Sequence, residues 1–179
     1  MSLYIHDKIK SAKKEAVALL SDSQIKSVPV NLITITKRLG LKIEKIKFTN
    51  KEVSGLLKIN TNAGKPIIAI NASQSEARQR FTIAHEIGHY ILHNIQDLHV
   101  DSNRVYFRNE QSSLANNIEE IQANQFAAEL LIPTKLLIDD LVKIDDLNEE
   151  NLNDYSEKLS KKYKVSNQSM LIKISHILA

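Results

Sequence analysis

Two histidines and a glutamate near the middle of the chain have the spacing of a metal site. The segment His85-Glu86-Ile87-Gly88-His89 reads H-E-x-x-H. On an α-helix, residues four apart lie one turn above each other, so the imidazoles of His85 and His89 would share a face and could bind one metal ion. Glu86 would border that face, about 100° further around the helix, where it could accept a proton from a water molecule. This division of roles is typical of metalloproteases.

A motif this short also occurs by chance. In a shuffled chain with the same 6 His and 12 Glu, H-E-x-x-H would appear with a probability of about 0.01. Residues 81–92 around the motif are largely apolar, as expected for a buried helix that carries polar ligands inward. The alternative, a solvated helix with two histidines, would not need so apolar a background. The context therefore favours a metal site.

A catalytic zinc ion has three protein ligands, so two histidines leave one ligand to be found. The class H-E-x-x-H-x-x-G-x-x-H would need Gly at position 92 and His at position 95, which are Leu92 and Ile95 here. His93 continues the same helix, but ligands on three successive turns of a straight helix cannot surround one ion. The remaining candidates are three acidic residues on the next predicted helix and one histidine between the two helices: Glu119, Glu120, Glu129 and His99.

The composition is that of an ordinary globular protein. A chain of 179 residues with 42% apolar and 25% charged residues is long enough to bury a core within one domain. No apolar run approaches the roughly 18 residues of a membrane span, and lysines and acidic residues interrupt the N-terminal segment where a signal peptide would be apolar. The chain has no cysteine, so a zinc site would need histidine and carboxylate ligands, which are more often catalytic than structural. We expect a cytoplasmic protein without membrane attachment.

The net charge of +3 is unevenly distributed. Residues 1–80 carry 15 Lys/Arg and 6 Asp/Glu, whereas residues 81–179 carry 9 and 15. A basic half can bind nucleic acid, but these lysines are dispersed rather than clustered with aromatic residues. A helix-turn-helix pitch at residues 161–166 is explained more simply by core packing. We expect no direct binding to nucleic acid.

Hydrophobic periodicity predicts helices and short strands around the motif helix. Residues 4–20 place apolar side chains at helical spacing opposite a row of lysines. Residues 29–39 indicate a short helix ended by Gly40, with a strand as the alternative because β-branched residues crowd this segment. Residues 94–117 are expected to form a long loop beside the site. Short strands are predicted at residues 41–48, 53–60 and 66–71, the last two as a hairpin, and further helices at 118–132, 134–143, 148–164 and 167–178.

Two motifs together resemble the ImmA/IrrE family of metallo-endopeptidases. They are Phe81-Thr82-Ile83-Ala84-His85-Glu86-Ile87-Gly88-His89-Tyr90-Ile91-Leu92-His93 and Glu120-Ile121-Gln122-Ala123-Asn124-Gln125-Phe126-Ala127-Ala128-Glu129-Leu130-Leu131-Ile132-Pro133. The resemblance extends to Ser54-Gly55-Leu56-Leu57, to residues 67–71 and to Val165-Ser166, so it covers most of the chain from about residue 28. The paired motifs at this spacing are far more specific than H-E-x-x-H alone.

The expected fold is α+β and zincin-like. A small, mainly antiparallel, three-stranded sheet should pack on the H-E-x-x-H helix and on a second helix that carries a ligand, with flanking helices at both ends. We expect one metallopeptidase domain over residues 1–179. It should contain an N-terminal helix (1–27), a zincin core (28–133) and a C-terminal helical part (134–179).

The resemblance also implies a ligand set. The third ligand in the family is the glutamate that opens E-x-x-A-N-x-F-A, which is Glu120 here, with Asn124 one turn further along the same face. One zinc ion would then be held by His85, His89 and Glu120. Glu86 would act as the general base that activates water and returns the proton to the leaving nitrogen. The oxyanion partner stays open among four residues: Tyr90, His93, His99 and Tyr106.

The function that the resemblance implies is that of an intracellular zinc endopeptidase. Its substrate would be an XRE-type helix-turn-helix repressor, whose cleavage derepresses a mobile-element or stress regulon. The alternative is a non-proteolytic module, stabilised by zinc, that binds a repressor or another protein. For the proteolytic function, we expect the substrate to bind in extended form along the edge of the sheet at residues 53–60, where Gly55 would leave room for its backbone.

Overall fold

Seven helices and four strands are formed by the part of the chain that the computed structural model describes, residues 2–59, 64–93, 95, 97–102, 110–144, 146, 148 and 151–178. Their order and bounds are α1 (Ser2–Asp22), α2 (Leu32–Arg38), β1 (Lys42–Ile46), β2 (Val53–Lys58), β3 (Ile67–Asn71), α3 (Glu76–Leu92), β4 (Leu98–Ser102), α4 (Glu110–Leu131), α5 (Thr134–Leu141), α6 (Leu152–Tyr163) and α7 (Asn167–Leu178). None of the described helices is long and apolar enough to cross a lipid bilayer.

The strands form one sheet in the order β1-β3-β2-β4. Strand β2 pairs antiparallel with β3 and with β4, whereas β1 runs parallel to β3. The α+β class and the mainly antiparallel sheet are therefore confirmed, as is the β2–β3 hairpin. The sheet has four strands rather than the predicted three, because β4 forms within the segment that was expected to be a loop. The predicted edge at residues 53–60 is wrong, since β2 is an inner strand and β4 lies outside it.

Gly55 on β2 lets the sheet lie close to α3. A β-carbon at this position would stand 2.4 Å from Thr82 Cγ2 on α3 and 2.8 Å from the Ala69 carbonyl oxygen on β3. The predicted role of Gly55 in making room for a substrate backbone is therefore wrong, because α3 already occupies that space. Leu57 and Ile68, a directly paired couple of β2 and β3, are fully buried beneath the helices.

The N-terminal elements cover the helical layer from the side. Helix α1 packs on α4 and buries apolar residues such as Ala12 and Ala16, as its amphipathic pattern predicts. Residues 32–38 form a helix despite their β-branched side chains, because the Asn31 side chain caps it by accepting from the Ile33 and Thr34 amides. The helix begins later than Pro29, the predicted start. Gly40 follows it with a φ of +72°, as a glycine that ends a helix commonly does.

Helices α3 and α4 form the centre of the domain. The Ser75 hydroxyl caps α3 by accepting from the Arg78 amide at 3.3 Å. Helix α4 begins at Glu110, eight residues before the predicted start at residue 118. Gly88 of α3 lies against α4, where an added β-carbon would meet the Ala123 Cα at 3.2 Å. The small residues at this contact allow the two helix axes to approach closely.

Two polar clusters fasten the C-terminal helices to the rest of the fold. The buried Glu129 carboxylate accepts from the Thr134 amide and hydroxyl at 2.9 and 2.7 Å and pairs with Lys173 at 2.6 Å. It thereby joins the end of α4, the start of α5 and α7. The fully buried Tyr163 donates its hydroxyl to Asp140 at 2.9 Å, which ties α6 to α5.

Candidate metal centre

Helix α3 presents His85 and His89 on one buried face, as the four-residue spacing predicts. Both side chains are almost fully buried, at 2% and 1% exposure, and their Nε2 atoms lie 3.0 Å apart. Glu86 is also fully buried and lies next to this face. Two imidazole nitrogens at so short a distance could both bind one ion placed beside them.

Helix α4 brings Glu120 to the same point. Its Oε2 lies 3.3 Å from His85 Nε2 and its Oε1 lies 3.2 Å from His89 Nε2. Neighbouring ligand atoms on a tetrahedral zinc ion, each bound at 2.0–2.1 Å, stand about 3.3 Å apart. The three side chains therefore fit a single ion. They are the only group of three or more His, Asp or Glu in the described residues whose ligand atoms lie close enough together to share a metal.

The other acidic candidates on α4 do not reach this point. Glu119 is exposed, and its backbone carbonyl accepts a hydrogen bond from His93 Nε2 at 3.1 Å. Glu129 belongs to the C-terminal cluster with Thr134 and Lys173. The structure thus places Glu120, rather than Glu119 or Glu129, beside the two histidines.

Asn124 orients one of the histidines. Its Oδ1 lies 3.0 Å from His85 Nδ1. An amide oxygen only accepts hydrogen bonds, so His85 carries its proton on Nδ1 and keeps the Nε2 lone pair for a metal. Burial lowers the pKa of His89 to about 4, which leaves its imidazole neutral at physiological pH. A neutral imidazole is the form that coordinates metals.

The Glu120 carboxylate is held as an anion. Burial raises its pKa, but the neighbouring side chains of His85, His89 and His99 outweigh burial and bring the pKa well below its usual range. The Glu120 side chain is partly buried, at 31% exposure, and its negative charge lies beside the ring nitrogens of His85 and His89. This combination of one carboxylate and two imidazoles can hold a divalent cation at the shared point.

His99 reaches the site from strand β4. Its Nδ1 lies 3.1 Å from Glu86 Oε2, and its Nε2 lies 3.1 Å from Glu120 Oε1. Burial lowers the pKa of His99, but the hydrogen bonds to Glu120 and Glu86 outweigh this and raise it to about 10. The sequence suggested His99 only as an alternative ligand or oxyanion partner, and the bridge between two carboxylates was missed. The one available signal was the alternation of Leu98, His99 and Val100, which is typical of a strand with His99 on its own face.

The remaining oxyanion candidates lie further from the ligands or outside the described residues. His93 ends α3, and its ring centroid is 5.1 Å from that of His89. Tyr90 is half-buried and packs against the hydrophobic core. Tyr106 lies outside the described residues.

A cavity of about 260 Å³ opens one helical turn before His85. Its walls come from α3, from the end of α4 and from the start of α7. The Phe81 ring in its wall stacks on the His85 ring with the centroids 6.1 Å apart. The cavity is mainly apolar, and its lining includes Phe81, Ala128, Leu131, Ile132 and Val165. A side chain of a molecule bound at the site could enter it.

Comparisons with known proteins agree with this geometry. The peptidase M78 family model, described as an IrrE N-terminal-like domain, matches residues 36–175. Metallopeptidase ImmA of Bacillus subtilis (strain 168) is 32% identical over 104 residues, which are 58% of this chain and 56% of that protein. A solved structure named Mycobacterium tuberculosis transcriptional regulator shares the fold, with a TM-score of 0.53, 14% identity and coverage of 92% of this chain and 45% of that one. The chain thus spans about half the length of these relatives.

Proposed function

The chain belongs to the ImmA/IrrE family, the peptidase M78 family, and from that premise we propose that it is a zinc-dependent endopeptidase. The family implies a divalent metal ion. The observation that carries the proposal is the convergence of His85, His89 and Glu120 from two helices, with the fully buried Glu86 beside them. Imidazole and carboxylate ligands of this number suit zinc and leave one coordination position open, as catalytic zinc sites do.

In this proposal each residue has a separate task. His85, His89 and Glu120 hold the ion, and Asn124 fixes the His85 ring through its Nδ1. Zinc bound there would polarise the peptide carbonyl and lower the pKa of water. Glu86 would accept the proton of the attacking water as the new carbon–oxygen bond forms. It would then deliver that proton to the leaving nitrogen as the bond between carbonyl carbon and nitrogen breaks.

The proposed substrate-binding edge is β4, which replaces β2. Strand β4 is the outer strand on the side of the site, and its His99 side chain contacts both Glu86 and Glu120. An extended peptide can add its main-chain hydrogen bonds to such an edge without demanding a particular sequence. The cavity beside Phe81 would then select one substrate side chain, with an apolar one preferred.

The proposed substrate is an XRE-type helix-turn-helix repressor in the cytoplasm, and its cleavage would derepress a mobile-element or stress regulon. The support for this is the resemblance to the family. A folded repressor exposes a suitable extended segment only where it opens locally. We therefore expect slow cleavage at one or two bonds, and little activity on an unstructured substrate such as casein.

The test is to incubate the zinc-loaded protein with a repressor encoded nearby and to identify the fragments by mass spectrometry. Glu86→Gln is the matched control, because it removes the base but keeps the shape of the side chain. It should keep zinc and fold while its turnover falls by about 10²–10⁴-fold. If Glu86→Gln inactivates the repressor as fully as the unaltered protein does, the proteolytic proposal fails and the zinc-stabilised binding module takes its place.

A further inference from the structure

The geometry points to His99 as a positioning residue that fixes the general base Glu86 relative to the metal-binding carboxylate of Glu120. This inference rests on the proposed function and adds a residue to it. His99 neither binds the ion nor touches the scissile bond. It acts through the two glutamates.

The contacts of the His99 ring are specific. One nitrogen lies 3.1 Å from Glu86 Oε2 and the other lies 3.1 Å from Glu120 Oε1. Each ring nitrogen is thus within hydrogen-bond distance of one carboxylate oxygen. One rigid ring holds the two nitrogens at a fixed spacing, so the imidazole itself sets the distance between the two carboxylates. A flexible pair of side chains would not fix that distance.

The strand holds the ring in place. His99 pairs in register with Leu57 on the inner strand β2, and Leu57 is fully buried against the helices. The face of the His99 ring also stacks on His89, with the centroids 3.7 Å apart and the planes inclined by 29°. Backbone pairing and ring stacking together leave the imidazole little freedom to turn.

The same contacts argue against His99 as a ligand. Both of its nitrogens face carboxylate oxygens, and among the described residues the group that could share one ion is limited to His85, His89 and Glu120. His99 is therefore placed beside the ion's ligands and outside its coordination.

His99 lies on β4, the strand proposed to bind the substrate. A peptide that pairs with the outer edge of β4, where the described residues place no further strand, would bind to the strand that orients the base. Substrate docking and the orientation of Glu86 would then depend on one backbone segment. Wrongly docked peptides would meet a less well placed base, which favours slow and selective cleavage.

The experiment compares His99→Gln, His99→Ala and the matched control His176→Ala, an exposed histidine on α7. Zinc content and zinc affinity are measured by chelator competition, and kcat and KM are measured on the repressor. Both His99 variants should bind one zinc ion with affinity about 10–100-fold weaker than the control. Their kcat should fall by a similar factor with KM nearly unchanged, and imidazole added to His99→Ala should restore part of kcat.

Three results would overturn the inference. Loss of zinc as complete as in His85→Ala would make His99 a ligand. A change in KM alone would make it a substrate contact, and zinc affinity and kcat equal to those of His176→Ala would leave it without a role. Zinc affinity does not depend on turnover, so it decides the role of His99 toward Glu120 even if the unaltered protein cleaves nothing and the proposed function fails. If His99→Ala does not fold, the neutral and similarly sized His99→Gln carries the same comparison.

Discussion

Gly88 on α3 and Ala123 on α4 lie in direct backbone contact, and a β-carbon added to Gly88 would stand 3.2 Å from the Ala123 Cα and 3.3 Å from its carbonyl oxygen. Gly88 sits inside the H-E-x-x-H segment, one residue before His89. Ala123 sits three residues after Glu120 on the facing helix. The contact therefore sets how closely the third predicted ligand approaches the two histidines.

Gly88→Ala should weaken zinc binding by about 10-fold or more, as loss of a supporting contact around a metal site does. The added methyl group would push α3 and α4 apart by a few tenths of an ångström. Such overpacking destabilises a fold by about 1–3 kcal/mol. Alanine is favoured over glycine within a helix by roughly 1 kcal/mol, which offsets part of that loss. Chelator competition measures the affinity, and thermal unfolding of the zinc-free protein measures the packing effect. Unchanged zinc affinity would show that the helix spacing does not control the site.

His85→Ala, His89→Ala and Glu120→Ala should each lose most of their bound metal. Each removes one of three ligand atoms whose mutual distances of 3.0–3.3 Å fit one ion. Glu119→Ala is the matched control, because this neighbour is exposed and does not belong to the group of three that could share an ion. Metal analysis of the purified variants makes the comparison. Full metal content in Glu120→Ala, with loss in Glu119→Ala, would move the ligand by one residue.

A photoreactive residue at Val100 should crosslink to the repressor, whereas one at Ile46 should not. The two positions are similarly exposed, at 44% and 38%, and lie on the two opposite edge strands, β4 and β1. Of these two edge strands, β4 carries a side chain, His99, to the candidate site. Mass spectrometry of the crosslinked peptides identifies the contact. Crosslinks from Ile46 and none from Val100 would place the substrate on the other edge.

Asp140→Asn should lower the free energy of unfolding at pH 7 and should lower it by less at about pH 2. Burial raises the pKa of Asp140, but hydrogen bonds from Lys162 and Tyr163 outweigh it, so the folded pKa lies below the ordinary value. The carboxylate therefore stabilises the fold fully above the unfolded pKa of about 3.9 and loses this effect as the pH falls through the folded pKa. Urea unfolding at both pH values tests this. Asp139→Asn changes the exposed neighbour and is the control. An equal loss of unfolding free energy at both pH values in Asp140→Asn would contradict this prediction.

Much of the helical fold was predictable because its apolar residues repeat at helical spacing and their helices pack on that face. The span of α7 agrees with its prediction, and the predicted helix at residues 4–20 lies within α1. The start of α4 was missed because residues 110–117 are polar and carry no such repeat. Helix α2 needed the Asn31 cap to outweigh its β-branched residues, and a cap is visible in the sequence only as a possibility.

Strand β4 shows why sheet order could not be predicted. Its apolar residues Leu98 and Val100 face outward and remain exposed, whereas the residue that faces the helices is His99. This reverses the usual strand pattern of apolar residues inside and polar residues outside. Pairing between β4 and β2 is also non-local, and no local pattern states which strand lies at the edge. The candidate metal site could be predicted in part from His85 and His89, but Glu120 followed only from the family resemblance.

Zinc in the proposed site would also act as a cross-link between distant parts of the chain. Thirty residues separate His89 from Glu120, and closing a loop of that length in the unfolded chain costs on the order of 3–4 kcal/mol in the entropy treatment used for disulfides. The ion would thus favour folding as well as hydrolysis. We expect a chelator to shorten the survival of the protein in limited proteolysis. In a cell depleted of zinc, the abundance of the protein would then fall together with its activity.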